Sequence, residues 1–268
     1  MSDQYIALRM DDPGACSKAF EIYGKSYARF RNFTFPVPTR ISNFLCLKKN
    51  PLWTGWAPYP ELTSDHWHSI FEVLTKFNAK LTVAVTACWV ERDGSLTPYP
   101  KKFSGAAEVL KRGVQAGIIE IANHGLTHCV VGKHLPRLFS SNRTYHREFW
   151  DWIPEETHYS NIKIAQKILQ DFFETSVITL VPPGNVFTDA TIRAANEFGI
   201  QIINCKTDRV SDQTPQIFGN SNVYAFHDRD IVINKIGWLK AVLSNLKDKK
   251  ICQVRELAMI HKQEAPVN

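Results

Sequence analysis

The chain has 268 residues, 44% of them hydrophobic, enough for one large α/β domain or two small ones with a sizeable core. Its net charge of +6, from 32 basic and 26 acidic residues, contains no block of five or more like charges. That is poor support for a nucleic-acid binder, where a clustered basic stripe is expected, and leaves only a mild pull towards an anionic substrate. The six cysteines, at 16, 46, 88, 129, 205 and 252, are at least 30 positions apart. Zinc-ribbon and thioredoxin-type spacings are therefore excluded, and reduced, mostly buried thiols are expected. No apolar run reaches the ~18–20 residues needed to span a bilayer, and MSDQYIALRM does not read as a secretory leader. A soluble, cytoplasmic protein without a membrane span is expected; the oligomeric state is left open.

The first element is YIALRM, a buried strand over Tyr5–Met10 that runs into the turn DDPG. Residues from about 15 to 60, including FTFPVPTR and PLWTGWAPYP, are irregular and aromatic. SDHWHSIFEVLTKFNA then places Trp67, Ile70, Phe71 and Leu74 at helical spacing, with Ser64 as the expected cap. KLTVAVTACWV reads as a strand, FSGAAEVLKRGVQAG as a helix, IIEIANH as a strand, NIKIAQKILQDFFE as a helix and VITLVPPG as a strand. The order continues with the helix DATIRAANEFG, the strands IQIINC and VYAFHD, the helix WLKAVLSNLKD and a final run ICQVREL. Strands separated by helix-sized segments predict a parallel sheet or barrel, whose functional residues gather at the C-terminal ends of the strands.

Those ends carry an unusual set of side chains: Asp11 and Asp12, His124, the PPG turn at 182–184, and His227 with Asp228. Neighbouring residues leave a strand in opposite directions, so Asp11 and Asp12 are expected in different environments. In IANHGLTH, His124 and His128 are four apart, and on a helical turn both imidazoles would reach one ion. With a strand-end Asp they would form a carboxylate and two-histidine site with positions open for water and substrate.

The ordered set LRMDDPG, NHGLTH, VPPGN and YAFHD resembles the successive motifs of the polysaccharide deacetylase family, also called NodB-homology or carbohydrate esterase 4. The resemblance covers most of residues 5–257, within a single domain over 1–268 that has insertions near 15–60 and 129–160. It implies a distorted (β/α)7 barrel and a divalent-metal-dependent deacetylase, with zinc preferred, acting on an acetylated sugar or saccharide. By motif match, Asp11 resembles the general base, Asp12, His124 and His128 the metal ligands, and His227 the general acid. Gly184 and Asn185 match the turn expected at the substrate, where a backbone amide would help hold the oxyanion.

Two departures bear on activity. Val181 stands where the family's third motif usually begins with an arginine that pairs with the catalytic Asp, and Gly184 replaces a frequent aromatic residue. Arg9, on the same strand face as Asp11, is the supporting residue that could restore the charge or could serve as a structural ion-pair partner. Asp208 and Asp212 fall where an Asp normally supports the catalytic histidine, but no tryptophan follows. His66 and His68 are expected at the surface or in packing, and His134, His146 and His158 are given no catalytic role. Trp53 and Trp56 could stack on a sugar or anchor their loop. The expected function is N-deacetylation of a saccharide precursor in surface-polysaccharide or lipopolysaccharide synthesis. The alternatives are a catalytically silent carbohydrate-binding protein and a metal-dependent hydrolase of another amide or ester.

Overall fold

A computed structural model of the protein describes residues 4–31, 33–56 and 58–264. The ends of the expected domain, including the first residues of the MSDQYIALRM reading, lie outside the described residues, as do positions 32 and 57. The scaffold is a curled, all-parallel sheet whose strands are β1 (Tyr5–Asp11), β2 (Leu81–Val85), β3 (Ile119–Asn123), β4 (Thr179–Leu180), β5 (Ile202–Asn204), β6 (Gln216–Phe218), β7 (Val223–His227) and β8 (Lys250–Cys252). Their spatial order is β6-β5-β4-β3-β2-β1-β7, with β8 added on the N-terminal half of β1. Seven strands thus make the wall of a distorted (β/α)7 barrel, open between β6 and β7 among the described residues. Helices α1 (Ser64–Lys76), α2 (Ser104–Gln115), α3 (Glu155–Phe173), α4 (Asp189–Glu197), α5 (Asp228–Asn234), α6 (Ile236–Asn245) and α7 (Val254–Glu264) connect or follow the strands.

Strand alternation assigns the two faces. Leu8 and Met10 of β1, Leu81, Val83 and Val85 of β2, and Ile119 and Ile121 of β3 share one large core with Trp67, Ile70 and Leu74 of α1 and Val109 and Leu110 of α2. The opposite face, turned into the barrel, is small or polar. Ala84, Ala122 and Val181 form one compact cluster there. Nearby, buried Glu120 accepts hydrogen bonds from Thr82 and Thr179 at 2.6 Å each. Arg9 is also inside, 1% exposed, between the Asp11 side chain and Asn204. An interior this polar keeps the strand sequences from reading as uninterrupted apolar runs.

Several sequence expectations are revised. The run 80–90 is two elements: β2 ends at Val85, and Cys88–Val90 pairs antiparallel with Leu96–Pro98. The break follows from Thr86 and Ala87, whose N–H groups turn aside to Pro13 and Gly125 carbonyls. Helix α1 is capped by Thr63 rather than Ser64; the Thr63 hydroxyl accepts from the His66 N–H, and the His66 ring accepts from the Thr63 N–H. Helix α3 starts at Glu155, six residues before the expected NIKIAQKILQ run, and buries His158 on Thr191 of α4. Strand β6 and helices α5 and α7 were not expected: QIF is too short for a period, and DRDIVIN and VRELAMIHKQE directly follow strands. The segment from 15 to 60 holds short paired strands, Tyr23–Gly24 with Thr54–Trp56 and Tyr27–Phe30 with Phe33–Pro36, beside one-turn helices.

Candidate metal centre and active-site cavity

The C-terminal ends of β1, β3 and β7 meet at one mouth, because β1 lies between β2 and β7 with Asp11 in register with His227. Asp11 is the last residue of β1 and points inward, where Arg9 holds it by two parallel bonds: Nε to Oδ1 at 2.8 Å and Nη2 to Oδ2 at 2.9 Å. The third nitrogen, Nη1, donates to the Asn204 carbonyl and side chain and to Asn220 Oδ1. A bidentate guanidinium–carboxylate pair fixes orientation as well as charge. Val181, the position expected to carry that arginine, instead packs in the apolar cluster, and its carbonyl accepts from His124 Nδ1 at 2.6 Å. The positive charge paired with Asp11 comes from β1.

Asp12 leaves the strand with φ +81° and turns to the histidines. Its Oδ1 lies 3.3 Å from His124 Nε2 and 3.2 Å from His128 Nε2, and one ligand atom from each of the three residues falls within 4.8 Å of the others. All three are buried. The bend between the two histidines is not the helical turn expected from HxxxH: Gly125 has φ +80° and His128 φ +55°. The segment is shaped by Glu148, which accepts from the Thr127 and His128 N–H groups and from Asn161. A Cβ on residue 125 would lie 1.5 Å from Glu148 Oε1, so this close approach requires glycine.

The donor set fits a divalent cation. His124 donates through Nδ1 to the Val181 carbonyl, which in a neutral ring leaves the Nε2 lone pair facing an Asp12 oxygen. Two acceptors face each other favourably only across a cation or a proton. His128 likewise aims Nε2 at Asp12 and leaves its buried Nδ1 without a partner. Burial would raise the Asp12 carboxyl, but the charge of His227 and the hydrogen bonds of His124 and His128 outweigh it and hold the group well below the ordinary carboxylate range. A deprotonated carboxylate with two imidazoles suits zinc and its neighbours in the first transition series.

A small cavity of about 90 Å³ lies over this cluster, bounded by Asp12, His128, Gly184 and His227. Asn185 is exposed and turned away: its N–H donates to the Pro182 carbonyl and its Oδ1 accepts from the Lys206 N–H. Of the two turn residues expected at the substrate, only Gly184 lines the cavity. The His227 N–H donates to Asp230, and its ring stands edge-on to Trp56, centroids 6.5 Å apart. Asp208 and Asp212 are exposed and do not line the cavity, so neither holds His227 in the expected way. Trp56 lines the cavity, whereas Trp53 lines a neighbouring groove. His146 lines the cavity too, with burial first among the causes that push it down to about 3. His134 and His158 make structural hydrogen bonds to Glu91 and Trp150 carbonyls.

Residues 55–203 match the family model for polysaccharide deacetylase. The chain belongs to the polysaccharide deacetylase family. Among solved structures, a CE4-family pseudoenzyme from Bacillus anthracis superposes with a TM-score of 0.52 at 13% identity, covering 95% of this chain and 65% of that one. A CE4 domain of a multidomain xylanase from the hindgut metagenome of Trinervitermes trinervoides gives 0.52 at 12% identity, covering 97% and 91%. A peptidoglycan N-acetylglucosamine deacetylase gives 0.52 at 14%, covering 95% and 87%. At these identities the superpositions establish the fold. No curated protein matches at the sequence level.

Three residues around the family's constellation carried no sequence signal. Lys18 is fully buried; its ammonium donates to the Asp12 carbonyl at 3.0 Å and is paired with Glu61 and Asp228. Tyr59 closes that network with a 2.7 Å bond to Asp228. Glu148, also buried, shapes the His128 turn. Lys18 and Tyr59 meet Asp228 across 210 and 169 positions, and Lys18, Tyr59 and Glu148 all lie in the two irregular segments, where no periodicity points to them.

Proposed function

We propose that this polysaccharide deacetylase family member is a metal-dependent deacetylase that removes an acetyl group from an N-acetylated saccharide. The observation that carries the reading is the buried Asp12, His124 and His128 cluster standing beside an Arg9-clamped Asp11 and His227 at one strand mouth. A bound divalent cation, zinc by donor type, would be held by Asp12, His124 and His128 and would supply Lewis-acid polarisation of the acyl oxygen and of water. Asp11, kept in one orientation by Arg9, takes the proton from the attacking water. With the Asn185 N–H used inside its own turn, Gly184 is the turn residue that faces the developing oxyanion. His227, across the cavity and in register with Asp11, gives its proton to the departing sugar nitrogen, so that a neutral amine leaves. The saccharide would be an intermediate of surface-polysaccharide assembly.

A catalytically silent saccharide-binding protein is the competing reading, favoured by Val181 at the motif arginine and by the pseudoenzyme among the structural neighbours. The bidentate Arg9–Asp11 pair weighs against it, because it restores the charge that Val181 lacks. Acetate release from N-acetylated oligosaccharides by the zinc-loaded protein decides between them. Release that disappears in Asp12→Asn together with bound zinc supports the proposal; full activity in Asp12→Asn, or no release from any acetylated saccharide, overturns it.

A further inference from the structure

Above the metal cluster the walls of the cavity are cationic. Arg143 and Arg147 line it, and the Arg229 guanidinium carbon lies 3.8 Å from the ring centroid of Trp56, another lining residue. These arginines come from two regions that flank the site, the 129–160 segment and the first turn of α5. Arg147 occupies the space left by the glycine at 184: a Cβ there would lie 2.2 Å from Arg147 Nε. The departure from the family's aromatic residue therefore makes room for a guanidinium.

Two of these guanidinium groups are incompletely satisfied. Arg147 Nε and Arg229 Nη1 are both buried and have no hydrogen-bond acceptor. A guanidinium short of acceptors carries an under-neutralised charge, which an anion at its remaining N–H groups would offset. Besides Asp12 of the metal cluster, the carboxylate that lines the cavity among the described residues is Glu21, whose Oε1 lies 3.6 Å from Arg143 Nε. Burial pushes the Glu21 carboxyl up to about 7, against the pull of Arg143 and with a further push from Asp12, so it is a weak counter-charge near neutrality. Away from Asp12, three arginines thus face a single carboxylate among the described residues. Arg143 also borders a second, open groove of about 690 Å³ walled by Tyr23, Tyr27, Phe35, Trp53 and Arg29, which gives a substrate larger than one sugar a path away from the metal cluster.

We propose that the acetylated substrate carries an anionic group, a carboxylate or a phosphate, close to the acetylated position, and that Arg147 and Arg229 bind it with Arg143 at the groove edge. This rests on the deacetylase reading for the identity of the sugar, while the anion site rests on the arginines alone. Planar guanidinium forks match the oxygens of either group, and charge-assisted bonds in a partly buried site should tighten binding about tenfold or more.

The test is calorimetric binding of three sugars to the full chain: methyl N-acetylglucosaminide, N-acetylglucosaminuronate and N-acetylglucosamine 1-phosphate. Each is measured with zinc and again after chelation, and acetate release is followed separately. At least tenfold tighter binding of one or both anionic sugars, kept after chelation, is expected; whichever is preferred identifies the carboxylate or the phosphate. That preference should fall close to one in Arg147→Gln/Arg229→Gln, with rising salt weakening the wild-type preference as a second readout independent of the variant's folding. Equal binding of all three, binding of none, or a preference that vanishes with the zinc overturns the proposal. Acetate release without an anionic preference would sink the anion site and leave the deacetylase reading intact, whereas preference without release would do the reverse.

Discussion

Replacing Arg9 by Met tests whether this chain has rebuilt the charge that Val181 lacks. The substitution keeps most of the apolar stem of a side chain that is 1% exposed and deletes five hydrogen bonds, two to Asp11, two to Asn204 and one to Asn220. What remains is a buried carboxylate with no counter-charge, and removing one partner of a buried pair costs about 3–5 kcal/mol. At about 2–4 °C per kcal/mol for a chain of this size, the melting temperature should fall by roughly 6–20 °C. Arg9→Lys keeps the charge but not the fork, so it should recover part of the stability and little of the orientation of Asp11. Calorimetric melting reads the first effect, and acetate release per folded molecule reads the second. Arg9→Met with wild-type melting and wild-type turnover would refute the argument that this arginine replaces the family's own.

The Lys18→Met variant should lose about 3–5 kcal/mol in denaturant titration, since it strands Glu61 and Asp228, both buried, beside one another. Glu148→Gln should preserve the fold but weaken zinc binding about 10–100-fold in competition titrations, because the His128 turn loses one of its two carboxylate oxygens. Glu21 makes stability fall with rising pH. Its carboxyl is raised in the fold to about 7, so its contribution is complete below the unfolded value near 4.3 and is lost as pH rises through about 7, roughly 4 kcal/mol in all. Urea midpoints taken between pH 5 and 8 should show a shallower decline in Glu21→Gln than in the wild type; parallel curves would count against the burial argument.

Much of the scaffold is visible in the sequence because its strands and helices alternate over lengths that carry a period. Tyr5–Met10, Ile119–Asn123 and Val223–His227 are short apolar runs that end in polar residues, and those polar residues do meet at one mouth. Arg9 is legible too: two residues before Asp11 on one strand, it must share its face. The shape of the His124–His128 bend is not legible, since HxxxH spacing suits a helix as well as the turn that Gly125 and Glu148 impose. Nor is the use of Asn185, whose side chain is spent on the Lys206 amide. Strand β6 escapes because three residues carry no period, and its place is set by pairing with β5. Lys18 joins Asp228 and Glu61 across 210 and 43 positions, and Arg147 comes to Gly184 from the other irregular segment, which no local pattern encodes.

Two of the three residues in the metal cluster hold left-handed backbone: Asp12 at φ +81° and His128 at φ +55°. Asp and His tolerate this region better than most residues, yet such conformations cost on the order of 1–3 kcal/mol and persist only where surroundings over-determine them. Both are pinned by a buried ionisable side chain. The Lys18 ammonium donates to the Asp12 carbonyl, and the Glu148 carboxylate accepts from the His128 amide. Lys18 lies in the irregular stretch after β1, and Glu148 in the stretch before α3. The segments that look like insertions therefore fix the backbone on which the ligand atoms converge. They also bring Arg143 and Arg147 to the cavity and Trp56 beneath Arg229. It follows that Lys18→Met and Glu148→Gln should each weaken zinc binding although neither side chain belongs to the Asp12, His124 and His128 cluster, and the double variant should lose less than the sum of the two. Once one of the two bends has relaxed, the ligand atoms no longer converge, and freeing the second has less left to undo. Strictly additive losses would show that the two bends hold the site independently.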